Sequence, residues 1–277
     1  MKKRLLPNSL TSACLIALCA VLAFAMPSAT AQDWAKQMLE KSPRHQEWVK
    51  VTYGSRTVEA FVVYPEVSHN ATVVLLIHEI FGLSDWARSM ADDLAAAGYI
   101  VIAPDLLSGF GPNGGGSSAF PDTQATTKAV SGLAAETVTA DLNAVADYAK
   151  KLPAANGKLA VVGFCWGGGK SFQFATERKD LSAAFVFYGP PPATDALARI
   201  TAPVYGFYGG NDARITATVS ATKDAMQAAG KKYDPVVYDG AGHGFMRAGE
   251  DPGNTNPANV TARQEGLKQL EALLKGL

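Results

Sequence analysis

Three residues in the carboxyl-terminal half of the chain could together perform nucleophilic catalysis. Cys165 sits in Gly163-Phe164-Cys165-Trp166-Gly167, directly behind the apolar run "KLAVVGF". That spacing matches G-x-S-x-G, the strand-to-helix elbow that exposes a nucleophile, with sulfur in place of oxygen. The turn is strained, so the positions two before and two after the nucleophile must be small. The helix that follows offers backbone N–H groups and a positive dipole end, which favour a thiolate and the oxyanion formed by its attack. The elbow expects an acid and then a base further along the chain. Asp212 follows an apolar run in "VYGFYGGNDARI", and His243 follows another in "VVYDGAGHGFM"; no other histidine lies downstream of Cys165. The chemistry expected of Cys165, His243 and Asp212 is thiolate attack on a carbonyl, with the imidazole carrying protons and the carboxylate orienting it. Asn211 and Asp239 are the neighbouring polar alternatives, both more suited to capping turns. Gly169-Lys170-Ser171 does not complete a phosphate-binding loop, because Phe164 stands where that motif needs its first glycine.

Positioning these three requires strands that end side by side. "VKVTYGSRTVEAFVVYP" alternates like an antiparallel hairpin, and residues 32–50 read as a short amphipathic entry segment. "ATVVLLIHEIFG" is a continuous apolar strand of the kind buried on both faces. After it come a helix over "LSDWARSMADDLAAAG", strand "YIVIAPDL", a helix around "LAAETVTADLNAVADYAKKL", strand "KLAVVGF" and a helix from Trp166 to about Arg178. Strands "SAAFVFYG" and "PVYGFYGG", helix "TATVSATKDAMQAAG", strand "KKYDPVVYDG" and a final helix to Leu274 complete the series. This alternation specifies an α/β fold, a mostly parallel central sheet with helices on both faces, in one domain over residues 32–277. The Gly/Ser/Pro-rich stretch 108–123, "SGFGPNGGGSSAFPDT", is expected to be a loop at the carboxyl ends of the strands or a plain surface excursion.

The first 31 residues read differently. Lys2, Lys3 and Arg4 precede an apolar stretch from about Cys14 to Ala25, and Ala29-Thr30-Ala31 supplies the small residues of a cleavage site. The stretch is shorter than the roughly 20 apolar residues of a membrane span. A cleaved signal peptide is expected, giving a periplasmic or secreted protein without stable membrane insertion. The whole chain balances 25 basic against 25 acidic residues; loss of three basic residues leaves about −3. No basic run suggests nucleic-acid binding. Cys14 and Cys19 leave with the signal, so Cys165 has no intramolecular disulfide partner in an oxidising compartment.

With "HEIFGL", "APDL", "GFCWGG", "GGNDARI" and "AGHGFMR" in that order, residues from about 50 to 275 resemble the dienelactone hydrolase (carboxymethylenebutenolidase) family of α/β-hydrolases. The resemblance implies an α/β-hydrolase fold and a carboxylic ester or lactone hydrolase working through an acyl-enzyme on a small-molecule substrate. It assigns Glu79 to thiol activation, the backbone N–H groups of Ile80 and Trp166 to the oxyanion hole, and Arg247 to the substrate carboxylate. The planar guanidinium fork suits that last task. The family's second substrate-binding arginine is expected within 118–128, where this chain has none; Lys128 offers only a point charge. His78 is read as structural, turned away from Glu79 by strand alternation, and "HEIFG" is not a zinc motif. No cofactor or metal is implied, and a monomer is expected. The competing readings are a non-catalytic binding protein on the same fold and a thiol redox sensor, which would need a partner thiol from another molecule.

Overall fold

In the computed structural model, the described residues are Met1 and 33–277, so the expected signal segment, with Cys14 and Cys19, lies outside them. Helix α1 (Asp33–Lys41) leads into β1 (Gln46–Tyr53) and β2 (Arg56–Val63), an antiparallel hairpin in register from Gln46↔Val63 to Tyr53↔Arg56. Gly54 closes its turn at φ +52°, where a side chain would be strained. The chain continues through β3 (Ala71–Ile77), α2 (Asp85–Ala96), β4 (Ile100–Pro104), α3 (Thr123–Ser131) and α4 (Ala135–Lys150). Next come β5 (Ala155–Phe164), α5 (Trp166–Glu177), β6 (Ala183–Phe187), β7 (Val204–Gly209), α6 (Ala213–Thr216) and α7 (Val219–Ala228). Strand β8 (Tyr233–Tyr238), α8 (Phe245–Ala248) and α9 (Pro257–Lys275) end the fold.

The eight strands form one sheet in the order β1-β2-β4-β3-β5-β6-β7-β8. β2 is antiparallel to β1 and β4, and the strands from β4 through β8 run parallel. Every residue of β3, β4, β6 and β7 is buried, as their unbroken apolar runs require of strands covered on both faces. The period of two divides them between two cores. Val74, Leu76, Val162, Phe185 and Phe207 pack with residues of α1, α2 and α9, whereas Val73, Leu75, Val161, Val186 and Val204 pack with residues of α4, α5 and α7. Phe164, Phe187 and Phe207 add a ring stack across β5, β6 and β7, with centroids 4.9 and 4.2 Å apart.

Three local expectations are revised. The strand expected through "HEIFG" ends at Ile77, so His78 and Glu79 belong to the turn beyond it. Part of the Gly-rich stretch is built into the fold: buried Asp105 accepts from the backbone N–H and hydroxyl of Ser117, each at 2.7 Å. Arg56 lies over the Phe110 ring, 4.4 Å from its centroid. The stretch closes on α3, which was not expected; Asp122 caps it by accepting from Ala125 N–H at 2.8 Å. Short helices α6 and α8 were also missed; the helix expected from Thr216 takes in only the last residue of α6 before α7.

Candidate active site

The carboxyl ends of the parallel strands carry the residues singled out for chemistry. Cys165 follows β5 directly and stands at φ 56°, ψ −117°, a positive φ that a cysteine rarely adopts. Its N–H donates to the Phe187 carbonyl at 3.0 Å, and its own carbonyl accepts from Gly169 N–H at 3.2 Å. The flanking glycines are steric necessities. A Cβ on Gly163 would collide with the Gly167 backbone, and one on Gly167 with the carbonyls of Ile77 and His78. Strand β3 and the first turn of α5 therefore touch backbone to backbone beneath the thiol.

Asp212 follows β7, with its backbone N–H bonded to Gly209 O and its carbonyl accepting from Ile215 and Thr216. His243 lies in the loop after β8, beside Gly244 at φ +73°. Two bonds from Asn211 tie the loops together: its N–H donates to Ala241 O at 2.9 Å and its amide to Gly240 O at 3.0 Å. Asn259 Oδ1 accepts from Gly242 N–H at 2.9 Å and braces the same loop from α9. The result is a chain of contacts, Cys165 Sγ to His243 Nε2 at 3.0 Å and His243 Nδ1 to Asp212 Oδ2 at 2.5 Å. Asp239, the alternative acid, is exposed in its turn. Burial works against the imidazolium, but the Cys165 sulfur and the Asp212 carboxylate hold the His243 pKa up at about 9.

Glu79 is buried, with 2 % of its side chain accessible, and Oε2 accepts from Arg247 Nε at 2.9 Å. Burial pushes the Glu79 carboxyl up and the Arg247 charge pulls it back. For Arg247, burial opposes the charge and Glu79 restores it. The guanidinium also lies over the Phe81 ring, 5.1 Å from its centroid, and a Cβ on Gly244 would come within 4 Å of both partners. The loop of His243 thus runs alongside this ion pair. The backbone N–H groups of Ile80 and Trp166 have no acceptor among the described residues. Lys128 is exposed on α3, at a groove of about 620 Å³ shared with Phe110, Phe120 and Leu133.

Two features escaped the sequence. Tyr188, fully buried at the end of β6 with φ 40°, sets its ring edge-on to His243 and to Phe245, each at 5.1 Å. Its signal was available: it ends a parallel strand next to Gly189, and the other candidate site residues also follow strand ends. Behind α8, Glu250 accepts from Trp86 Nε1 at 3.0 Å and pairs with Arg263 at 2.5 Å, and Arg263 also reaches Asp93 at 3.0 Å. Such pairings between distant segments leave no local pattern. No cluster of histidine, cysteine and carboxylate side chains among the described residues is arranged to hold a metal ion, and no helix among them is long and apolar enough to cross a membrane.

Residues 58–276 match the family model described as the dienelactone hydrolase family. A Methylorubrum extorquens protein named "Putative carboxymethylenebutenolidase" is 31 % identical over 235 residues, covering 80 % of this chain and 78 % of its own. "Carboxymethylenebutenolidase 1" of Cupriavidus pinatubonensis is 27 % identical over 208 residues, covering 74 % of this chain and 88 % of its own. The crystal structure of "Putative Dienelactone Hydrolase" from Klebsiella pneumoniae superposes with a TM-score of 0.72 at 26 % identity, covering 84 % of this chain and 99 % of that one.

Proposed function

The chain belongs to the dienelactone hydrolase family, and on that footing we propose that it hydrolyses carboxylic esters or lactones through a Cys165–His243–Asp212 triad and a covalent acyl-enzyme. The observation that carries this reading is the 3.0 Å and 2.5 Å contact chain from Sγ through the imidazole to Oδ2, built on a strained strand–helix elbow. Backbone strain held at a nucleophile by obligatory glycines is characteristic of functional sites.

In this mechanism the Cys165 thiolate attacks the carbonyl carbon, and the tetrahedral oxyanion accepts hydrogen bonds from the Ile80 and Trp166 N–H groups. Imidazolium His243 gives its proton to the departing alkoxide as the carbon–oxygen bond breaks, leaving a thioester on Cys165. His243 then takes a proton from water, hydroxide adds to the thioester, and the thiolate leaves as the carboxylic acid forms, which releases its proton to solvent as the carboxylate. Asp212 holds the imidazole tautomer and its charge throughout.

Glu79 and Arg247 give the site a preference for substrates that bear a carboxylate. A carboxylate that engages the Arg247 fork competes with Glu79 for the guanidinium. Glu79 then loses the charge that lowers its pKa while remaining buried, and becomes a stronger base for the thiol proton. Export to the periplasm or medium belongs to the same reading, and a mature amino terminus at Gln32 tests it.

The decisive experiment is acyl-enzyme trapping. Mixing with a p-nitrophenyl ester and quenching in acid should leave one acyl group per chain, mapped by mass spectrometry to Cys165. Stoichiometric labelling of Cys165 by alkylating reagents without turnover of any ester would favour the binding-protein reading instead.

A further inference from the structure

Resting on the assignment of Ile80 and Trp166 as oxyanion donors, we propose that His78 is the positioning residue of the oxyanion hole, orienting the Glu79–Ile80 peptide through its Nδ1–H and bracing Trp166 with its ring. His78 is fully buried at the end of β3, and its Nδ1 lies 2.7 Å from the carbonyl oxygen of Glu79. A carbonyl only accepts, so Nδ1 carries the hydrogen and donates. That carbonyl and the Ile80 N–H belong to one peptide unit. The unit is planar and trans, with the N–H directed opposite to the C=O, so a bond that fixes the oxygen also fixes the direction of the N–H. Accepting a hydrogen bond at its oxygen also polarises the peptide and strengthens it as a donor at nitrogen.

The second donor is held from the other face. The His78 ring stacks on Trp166 with centroids 5.6 Å apart and planes 12° from parallel. The His78 carbonyl is also one of the two carbonyls that forbid a Cβ on Gly167, the residue after Trp166. One residue therefore contacts both segments that contribute an oxyanion N–H.

Packing alone does not account for a histidine here. Nε2 is buried with no hydrogen-bond partner among the described residues, a cost that an apolar side chain would avoid. A phenylalanine could stack on Trp166 equally well; only an N–H donor can hold the Glu79 carbonyl. Burial lowers the imidazole pKa from its ordinary value, which favours the neutral ring with its hydrogen on Nδ1.

Three variants test the proposal by comparing ester hydrolysis with alkylation of Cys165 by iodoacetamide, a displacement at carbon that forms no oxyanion. His78→Phe keeps a ring and loses the donor. Its kcat should fall about tenfold, as loss of a hydrogen bond worth ~1.4 kcal/mol gives. KM and the alkylation rate should stay within about twofold, because the loss is confined to the transition state. His78→Asn, whose amide nitrogen reaches the place of Nδ1, should exceed His78→Gln, whose amide falls at Nε2, by several-fold in kcat. Wild-type kcat in His78→Phe, a parallel fall of hydrolysis and alkylation, or equal kcat in the Asn and Gln variants would each overturn the proposal. The last comparison decides the matter should His78→Phe not fold. A wild-type protein that is alkylated but hydrolyses no ester would instead defeat the hydrolase reading itself.

Discussion

Oε2 of Glu79 accepts from Nε of Arg247 at 2.9 Å, across 168 residues of sequence, so the two residues assigned to thiol activation and substrate binding neutralise each other in this structure. Each is therefore available for its assigned role only when something else satisfies the other. In the proposed mechanism a substrate carboxylate takes the place of Glu79 on Arg247 and so releases Glu79.

Arg247→Ala should lower kcat/KM about ten- to hundredfold for carboxylate-bearing esters and leave neutral esters of similar size nearly unchanged. The range corresponds to loss of a charge-assisted pair of roughly 1.5–3 kcal/mol. Matched ester pairs differing only in the carboxylate give the measurement: neutral esters should show no loss, and any gain would reflect Glu79 released as a base, whereas equal losses on both would make Arg247 a support for the His243 loop.

The same variant should be destabilised, because Glu79 is left buried without its cation. The unfolded carboxylate ionises above its ordinary range near 4.3, whereas the stranded Glu79 resists ionisation, so the deficit should be largest at neutral pH and shrink as pH falls. Urea unfolding at pH 5 and pH 7.5 measures this, and restoring stability with Glu79→Gln in the same chain would identify the stranded charge as the cause.

Cys165→Ala should abolish turnover while the protein stays folded, and Cys165→Ser should be severely impaired because a hydroxyl needs more help from a base than a thiol does. Asp212→Asn should lose about a hundred- to ten-thousandfold in kcat by releasing the imidazole from its tautomer and orientation. Unchanged kinetics in Asp212→Asn would move the acid elsewhere, although exposed Asp239 is poorly placed to replace it.

The His243 pKa of about 9 carries a pH signature. For an alkyl ester, whose leaving alkoxide needs a proton, activity should fall as pH rises through about 9 and the imidazolium is lost; a p-nitrophenyl ester, whose leaving group departs unaided, should show little of that fall. Stability follows the same sign. The folded value lies above the ordinary 6.5, so the His243 contribution is complete below pH 6.5 and disappears as pH rises through 9. The stability difference between wild type and His243→Gln should shrink between pH 6 and pH 9.5, and a constant difference would refute the shift.

Much of the site was legible in the sequence because its constraints are local. Gly163 and Gly167 are demanded by atoms close to Cys165, and strand-end turns announce Asp212 and His243 within a few residues of each apolar run. The sheet was legible for the same reason: strands buried on both faces must be apolar throughout. Helix α3 was not, because "TQATTKAVS" has a weak apolar stripe and follows a Gly-rich stretch that masks its Asp122 cap. Strand alternation is not what separates His78 from Glu79, since the strand has already ended at Ile77. Tertiary structure alone decided that Glu79 meets Arg247, that Tyr188 abuts His243, and that His78 stacks on Trp166. These pairings join separate strand ends. Composition and periodicity record which residues a strand buries, but sheet order and register decide which strand ends become neighbours, and so which side chains meet there.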